Sequence, residues 1–407
     1  MRSLAVSAAR DDRLRESDDV FAMRILVAPD KFKGSLTARE VAENIARGFV
    51  DILSDATINI LPMADGGEGT TDVICGALGG SWLKCNAHDA LGREIACRYS
   101  FIEKRKLAVI EMSEAAGMKR LHVDERDVDR ANTFGVGEMI LDAAHRDAKE
   151  IIVGLGGSAT NDGGFGMARA LSFRFLGKPA TSHRNLEPIR QVSELLRLAR
   201  IERPRDLSLP KIIAAADVRN PLLGKNGATR VFGPQKGLKA EQVEIFEGAL
   251  KRLADVVAKE FGFDFREKPG AGAAGGLGFG LMSFCGATIR PGFDVVAEAV
   301  ELESKMKDAD IVITGEGSLD AQTLEGKTSA GIAAMARRLG KRVVAIAGRT
   351  SEDREVHAAF DDVYSLAEGG VSEEESIKRA AELLHERAQE LAKDLAKTSS
   401  LQRPVSR

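Results

Sequence analysis

Five short stretches gather carboxylates, lysines and glycines in combinations that suit phosphate chemistry. "APDKFKGS" sets Lys31 and Lys33 beside Asp30, and "LPMADGGEGT" places Asp65 and Glu68 among glycines. "GLGGSATNDGGFG" offers six glycines with Ser158, Thr160 and Asp162. "ADVRNPLLGKNGATRVFGPQKG" carries Asp217 with Arg219, Lys225, Arg230 and Lys236, and "TGEGSLDAQTLEGKTSAG" carries Glu316, Asp320, Lys327 and Thr328. Phosphate binding needs backbone N–H groups, glycines that let the backbone close in, and a cation to meet charge, while Mg2+ needs one or two carboxylates plus substrate oxygens. Both inventories are present. Together they suit phosphoryl transfer, which depends on positioning and charge neutralisation more than on covalent chemistry.

The common nucleotide signatures fit less well. "EGKTS" contains the GKT of a Walker A loop, but Ala321 stands where GxxxxGK[ST] requires glycine, so it is not a P-loop. Gly154, Gly156 and Ala159 satisfy G-x-G-x-x-A, which makes a dehydrogenase the competing enzyme reading. No acidic residue lies between Asp162 and Glu187 to take a ribose, which argues against NAD. The basic loop from Asp217 to Lys236 reads equally as a clamp for an acidic small substrate beside a metal-binding acid or as a solvated surface loop.

The elements that hold these loops follow from pattern. "RILVAPD" is a β-branched run, and "TAREVAENIARGFV" puts Val41, Ile45 and Phe49 on one helical face behind a Thr37/Glu40 capping box. "TINILPMAD", "EIIVGLGGSATND", "KIIAAADVRNP", "ADIVITGEGSLD" and "KRVVAIAGR" repeat the strand-then-loop theme, which predicts an α/β architecture with parallel sheets. Asp30, Asp65, Asp162, Asp217, Glu316 and Asp320 all fall at or just past strand ends, where ligands bind in such sheets. Any one of these could be an ordinary turn former; their repetition points to a shared acidic, glycine-lined cleft. Between Trp82 and Met112 alternating segments predict antiparallel strands. The segment from Gly177 to Pro210 reads as surface around one short amphipathic helix.

Length and composition bound the rest. A chain of 407 residues, 44% apolar and 29% charged, is long enough for two domains. A net charge of −3 with 5% aromatics gives no general attraction to nucleic acid or anionic membrane and no base-stacking surface. No run reaches the length of a membrane span, and the four cysteines show no zinc or disulfide pattern, in keeping with a reducing cytoplasm. Residues 1–22 read as a disordered extension, with Met23 as an alternative start, and residues 396–407 as a disordered tail. The N- and C-terminal parts share one texture, so 23–83 and 287–395 are expected to form a Rossmann-like domain and 84–286 an inserted second domain, with 130–180 assignable to either.

Six motifs together, "ILVAPDKFKGSLTAREVAENIARGF", "PMADGGEGT", "GLGGSATNDGGFGMARAL", "DVRNPLLGKNGATRVFGPQKG", "GAAGGLGFGL" and "ITGEGSLDAQTLEGKTSAGIA", resemble the bacterial type-1 glycerate kinase family over Met23 to Glu390. Ala216 departs from that pattern, where the family commonly has cysteine. The resemblance implies a two-domain α/β fold, a Rossmann-like parallel-sheet domain plus a second mixed α/β domain, with the active site in the interdomain cleft. It implies ATP-dependent, Mg2+-assisted phosphorylation of D-glycerate to 2-phosphoglycerate, with a homodimer left open. A kinase of the same fold acting at the other hydroxyl or on another hydroxy acid, and a silent glycerate or nucleotide sensor, are the alternatives.

Under that resemblance Asp65 or Asp162 would deprotonate the attacking hydroxyl, with Lys31 and Asp217 completing the catalytic set. Glu68, Arg219, Lys236 and Lys33 would contact substrate. Gly156, Gly157, Ser158, Gly276, Lys327 and Thr328 would meet the nucleotide or its phosphates. Asp217 and Glu316 would hold Mg2+.

Overall fold

The structure, a computed structural model, describes residues 23–179, 185–321, 323, 328–368 and 370–401. The expected extension at 1–22, the last six residues of the expected tail and Lys327 lie outside the described residues.

Two sheets organise the chain. The first has five parallel strands in the order Asp362–Ser365, Arg342–Ala347, Ile311–Thr314, Arg24–Val27 and Thr57–Ile60. Its middle strands are almost wholly apolar because helices cover both faces, as a parallel sheet requires. The second sheet has six strands, in the order Thr288–Arg290, Lys211–Ala215, Glu150–Gly154, Leu107–Glu111, Glu94–Ile102 and Ser81–His88. The first four run parallel; the last two are the antiparallel pair expected between Trp82 and Met112.

The first sheet thus draws on residues 24–60 and 311–365 and the second on 81–290. The two do not have wholly separate cores. One apolar cluster joins Leu26, Val312 and Ala345 of the first sheet to Val109, Ile152 and Ile213 of the second, through Ile74 of helix Thr70–Leu78 and Val296 of helix Gly292–Ala299. Cleft loops from both sheets therefore sit on shared packing, and the gap between sheets is bridged.

On the outer face of the first sheet, helix Ala38–Ile52 begins at the expected capping box: Glu40 N donates to Thr37 Oγ1 at 3.2 Å and Thr37 N to the Glu40 carboxylate at 2.8 Å. Val41, Ile45 and Phe49 are fully buried, each worth about 1.5–3 kcal/mol of transfer free energy. Their face meets the terminal helix Ala380–Leu401, which comes so close at Gly48 that a Cβ would lie 2.5 Å from His385 O. That terminal helix corrects the boundary set at residue 395. It continues to Leu401 because each added residue of a formed helix gains a backbone bond at little further cost. The proline-marked segment also differs from expectation. It forms a small antiparallel sheet of Arg174–Gly177, Glu187–Pro188 and Leu198–Glu202, and its short helix is a 3-10 turn at Ser193–Arg197 burying Leu195.

Candidate active site

The carboxyl ends of the parallel strands supply the cleft. Beyond Val27 the chain continues in register, Asp30 N donating to Gly315 O at 2.8 Å and Met63 N to Pro29 O at 2.8 Å. This ladder brings the ends of three neighbouring strands together and sets Asp30, Lys31 and Asp65 side by side. Lys31 Nζ lies 3.5 Å from Asp65 Oδ1 and 3.9 Å from Asp30 Oδ1, and donates to Glu68 O at 2.8 Å. Asp65 Oδ1 accepts from Gly67 N at 3.0 Å, which fixes the carboxylate against its own loop. A cavity of about 430 Å3 opens over this group, lined by Asp30, Lys31, Lys33, Asp65, Glu316 and Arg349 among others.

The loop bearing Asp65 is wedged between the two sheets by absent side chains. A Cβ on Gly292 would lie 1.8 Å from Asp65 O, and one on Gly156 would lie 2.6 Å from Gly67 Cα. Gly292→Ala must therefore push Asp65 out of place. We expect a loss of turnover with a smaller loss of stability, read from kcat beside a thermal melt; unchanged kcat would show that the wedge is not needed.

Electrostatics divide the residues further. Burial works against the Lys31 ammonium, but Asp30, Asp65 and Glu68 outweigh it and hold its pKa above the usual lysine value. Burial raises the Asp30 carboxyl, with Lys31 opposing and Asp65 adding to the rise. Asp30 Oδ2 also accepts from Thr328 Oγ1 at 2.7 Å, at the start of helix Thr328–Arg338. Asp217 follows the strand Lys211–Ala215, and its side chain is exposed to solvent. Its carboxyl is nevertheless pushed up to about 8, by the surrounding protein first and then by Asp65 and Asp30. Solvent reaching the side chain screens part of this rise, and three carboxylates crowd one lysine, leaving negative charge to be met by a cation.

Among the described residues no three His, Cys, Asp or Glu side chains converge as a ready-made metal cage. Mg2+ keeps several of its waters and takes one or two carboxylates plus phosphate oxygens. Asp217 fits such a role through its charge coupling to Asp65 and Asp30. Glu316 lines the cavity, and its backbone oxygen accepts from Gly348 N at 3.1 Å.

Several expected site residues stand elsewhere. Asp162 is fully buried and spent on four bonds: Thr133 N at 2.9 Å, Thr133 Oγ1 at 2.8 Å, Gly164 N at 3.0 Å and Gly166 N at 2.9 Å. Burial raises its pKa and these donors oppose the rise. It braces the loop from beneath and cannot reach a substrate hydroxyl. Asp162→Ala leaves those donors buried and unmet, so it should lower unfolding free energy by about 3 kcal/mol or more in a urea titration; wild-type stability with lost turnover would restore Asp162 to the chemistry.

Lys236 is likewise buried, donating to Ser158 Oγ at 2.8 Å and Thr160 O at 2.7 Å, and burial lowers its pKa to about 7. The expected substrate lysine and phosphate-binding serine therefore hold each other under the loop. Gly276, in a left-handed conformation at φ 88°, packs where a Cβ would lie 2.8 Å from Gly163 Cα, so it serves backbone packing inside the second unit. Gly157 stays exposed at the loop tip, also left-handed at φ 70°. Arg219 is exposed, Lys33 is exposed and lines the cavity, Glu68 pairs with Lys119, and Thr328 is buried against Asp30.

Asp30 was read from the sequence as a cleft acid beside Lys31 and Lys33 but given no role, and one contributor escaped that reading altogether. Glu111 ends the strand Leu107–Glu111 and reaches across to accept from Gly69 N at 3.0 Å and Thr71 N at 2.9 Å, capping helix Thr70–Leu78. Burial pushes its carboxyl up to about 7, against those two donors. A raised folded-state value stabilises at pH below the unfolded value, and that contribution is lost as pH rises through about 7. Glu111→Gln keeps an acceptor oxygen without the charge. Its melting temperature should therefore gain on wild type between pH 5 and pH 8, and a pH-independent difference would contradict this account.

Comparison with known proteins fits this arrangement. The description "Glycerate kinase family" matches residues 25–396. The chain belongs to the glycerate kinase family. A glycerate kinase of Bacillus subtilis (strain 168) is 40% identical over 93% of this chain and 100% of its own length. The glycerate 2-kinase of Escherichia coli (strain K12) is 37% identical over 92% of this chain and 98% of its own. A solved structure from Salmonella typhimurium LT2, provisionally assigned as glycerate kinase 2, has a TM-score of 0.81 at 38% identity, covering 93% of this chain and 100% of that one. This member of the family is thus a kinase with the two-sheet α/β fold. Among its described residues no helix is long and apolar enough to cross a membrane.

Proposed function

We propose that the protein transfers the γ-phosphoryl group of ATP to the 2-hydroxyl of D-glycerate, giving 2-phosphoglycerate and ADP in the cytoplasm. The observation that carries this reading is the Asp30–Lys31–Asp65 group at the meeting point of two sheets, in a chain of this family. Asp65 is the base. Its carboxylate is fixed by Gly67 N and Lys31, so it can take the hydroxyl proton as the new O–P bond forms and the bond to the ADP oxygen breaks.

Lys31 meets charge that builds on the transferring phosphoryl oxygens, and the carboxylates of Asp30, Asp65 and Glu68, outweighing its burial, keep it protonated for that task. Glu316, which lines the cavity, and Asp217, whose carboxyl feels the charges of Asp65 and Asp30, would hold Mg2+, which neutralises phosphate charge when bound. Gly157 at its exposed loop tip would offer backbone to a phosphate, and Lys33 and Arg219, both exposed, would meet the glycerate carboxylate. The relative from Escherichia coli, a glycerate 2-kinase, supports attack at the 2-hydroxyl.

The direct test is a coupled assay for ADP on purified protein with MgATP. Formation that requires D-glycerate supports the reading; ADP release indifferent to glycerate, or given equally by lactate, would replace it with another acceptor.

A further inference from the structure

A second cavity, of about 460 Å3, lies away from the cleft and shares none of its lining residues. Its walls include Phe134, Phe173 and Phe175, with Arg169, Arg174 and Arg190. Arg174 is spoken for, its guanidinium 2.9 Å from the Glu202 carboxylate. The other two differ. Among the described residues the side chains of Arg169 and Arg190 make no hydrogen bond or ion pair.

Arg169, half-buried on helix Phe165–Ala170, has its guanidinium 5.3 Å from the Phe165 ring centroid and 5.9 Å from that of Phe134. Ring faces offset only part of the cost of taking a cation out of water. Burial lowers its pKa, Arg190 lowers it further, and the Asp162 carboxylate, already held by four donors, opposes the fall without pairing with it. Two guanidiniums that repel each other across a pocket of ligand size, with no acid among the described residues that line it, form a site whose missing component is an anion.

We propose that this cavity binds a small phosphate-bearing molecule, held between Arg169 and Arg190 over the phenylalanine floor. A phosphate monoester carries close to two negative charges and several acceptor oxygens, which matches two guanidinium forks better than a single carboxylate does. The site also touches elements that brace the cleft. Phe134 follows Thr133, whose hydroxyl binds Asp162 and accepts from Met167 N at 2.9 Å.

The test is calorimetric titration of the full chain with inorganic phosphate at low salt, with sodium acetate as the comparison anion. Because the cleft also attracts phosphate, titrations use wild type, Lys31→Met, Arg169→Met and Arg190→Gln. Arg190→Gln is the safer variant for folding, since Arg190 is exposed. We expect phosphate binding that persists in Lys31→Met and weakens roughly tenfold or more in each arginine variant, with their KM for glycerate unchanged. Phosphate binding abolished by Lys31→Met and untouched by either arginine variant would overturn the proposal. Equal affinity for acetate would overturn the choice of phosphate.

Discussion

Asp65→Asn lowers kcat by a factor on the order of 100 or more while leaving the fold intact. The asparagine keeps the shape and the acceptor that Gly67 N needs, so the loop stays where Gly292 and Gly156 allow it. What it loses is the ability to take a proton and the charge 3.5 Å from Lys31. A steady-state assay with saturating MgATP and glycerate reads the effect. Because proton transfer belongs to the transition state, KM should move far less than kcat. A variant with near-normal turnover would remove Asp65 from the role of base and shift attention to Asp217, an exposed acid that feels its charge.

Lys31→Met has a comparable effect for a different reason. It removes a cation whose neighbours are the carboxylates of Asp30 and Asp65 and the carbonyl of Glu68. Loss of one positioned donor to developing charge costs about 100- to 1000-fold in kcat. Here the loss should be accompanied by weaker binding of MgATP, since the crowded acids then face the phosphates unopposed. Lys31→Arg separates charge from geometry: a guanidinium restores the charge but not a compact point donor, and only partial rescue is expected. Full rescue by Arg would mean that net charge alone suffices.

Much of the fold could be read from pattern because the central parallel strands carried a hydrophobic signal and helix Ala38–Ile52 its capping box of Thr37 with Glu40. The cleft was legible as a set of strand-end loops for the same reason. Individual roles were not, because one local pattern serves two physical ends. An aspartate among glycines after a strand describes Asp65, which faces the cleft, and Asp162, which is fully buried and caps the turn behind it. The difference lies in Thr133, a partner 29 positions away that no local reading supplies. Gly276 and Gly156 looked like places for a phosphate to approach; what approaches them is other backbone, Gly163 and Gly67. Lys236 was read as a substrate contact in a loop that could equally be solvated surface, and only the packing around Ser158 and Thr160 shows it buried. Glu111 was invisible because its role depends on the meeting of two sheets.

The central claim is that this cleft moves phosphate from ATP to the 2-hydroxyl of D-glycerate. The most direct measurement is a 31P NMR spectrum of the reaction of purified protein with MgATP and D-glycerate, compared with authentic 2- and 3-phosphoglycerate. A growing 2-phosphoglycerate resonance, with ADP appearing at the same rate and both absent in Asp65→Asn, is the predicted result. A 3-phosphoglycerate resonance, or ATP left unchanged by folded protein, would contradict it.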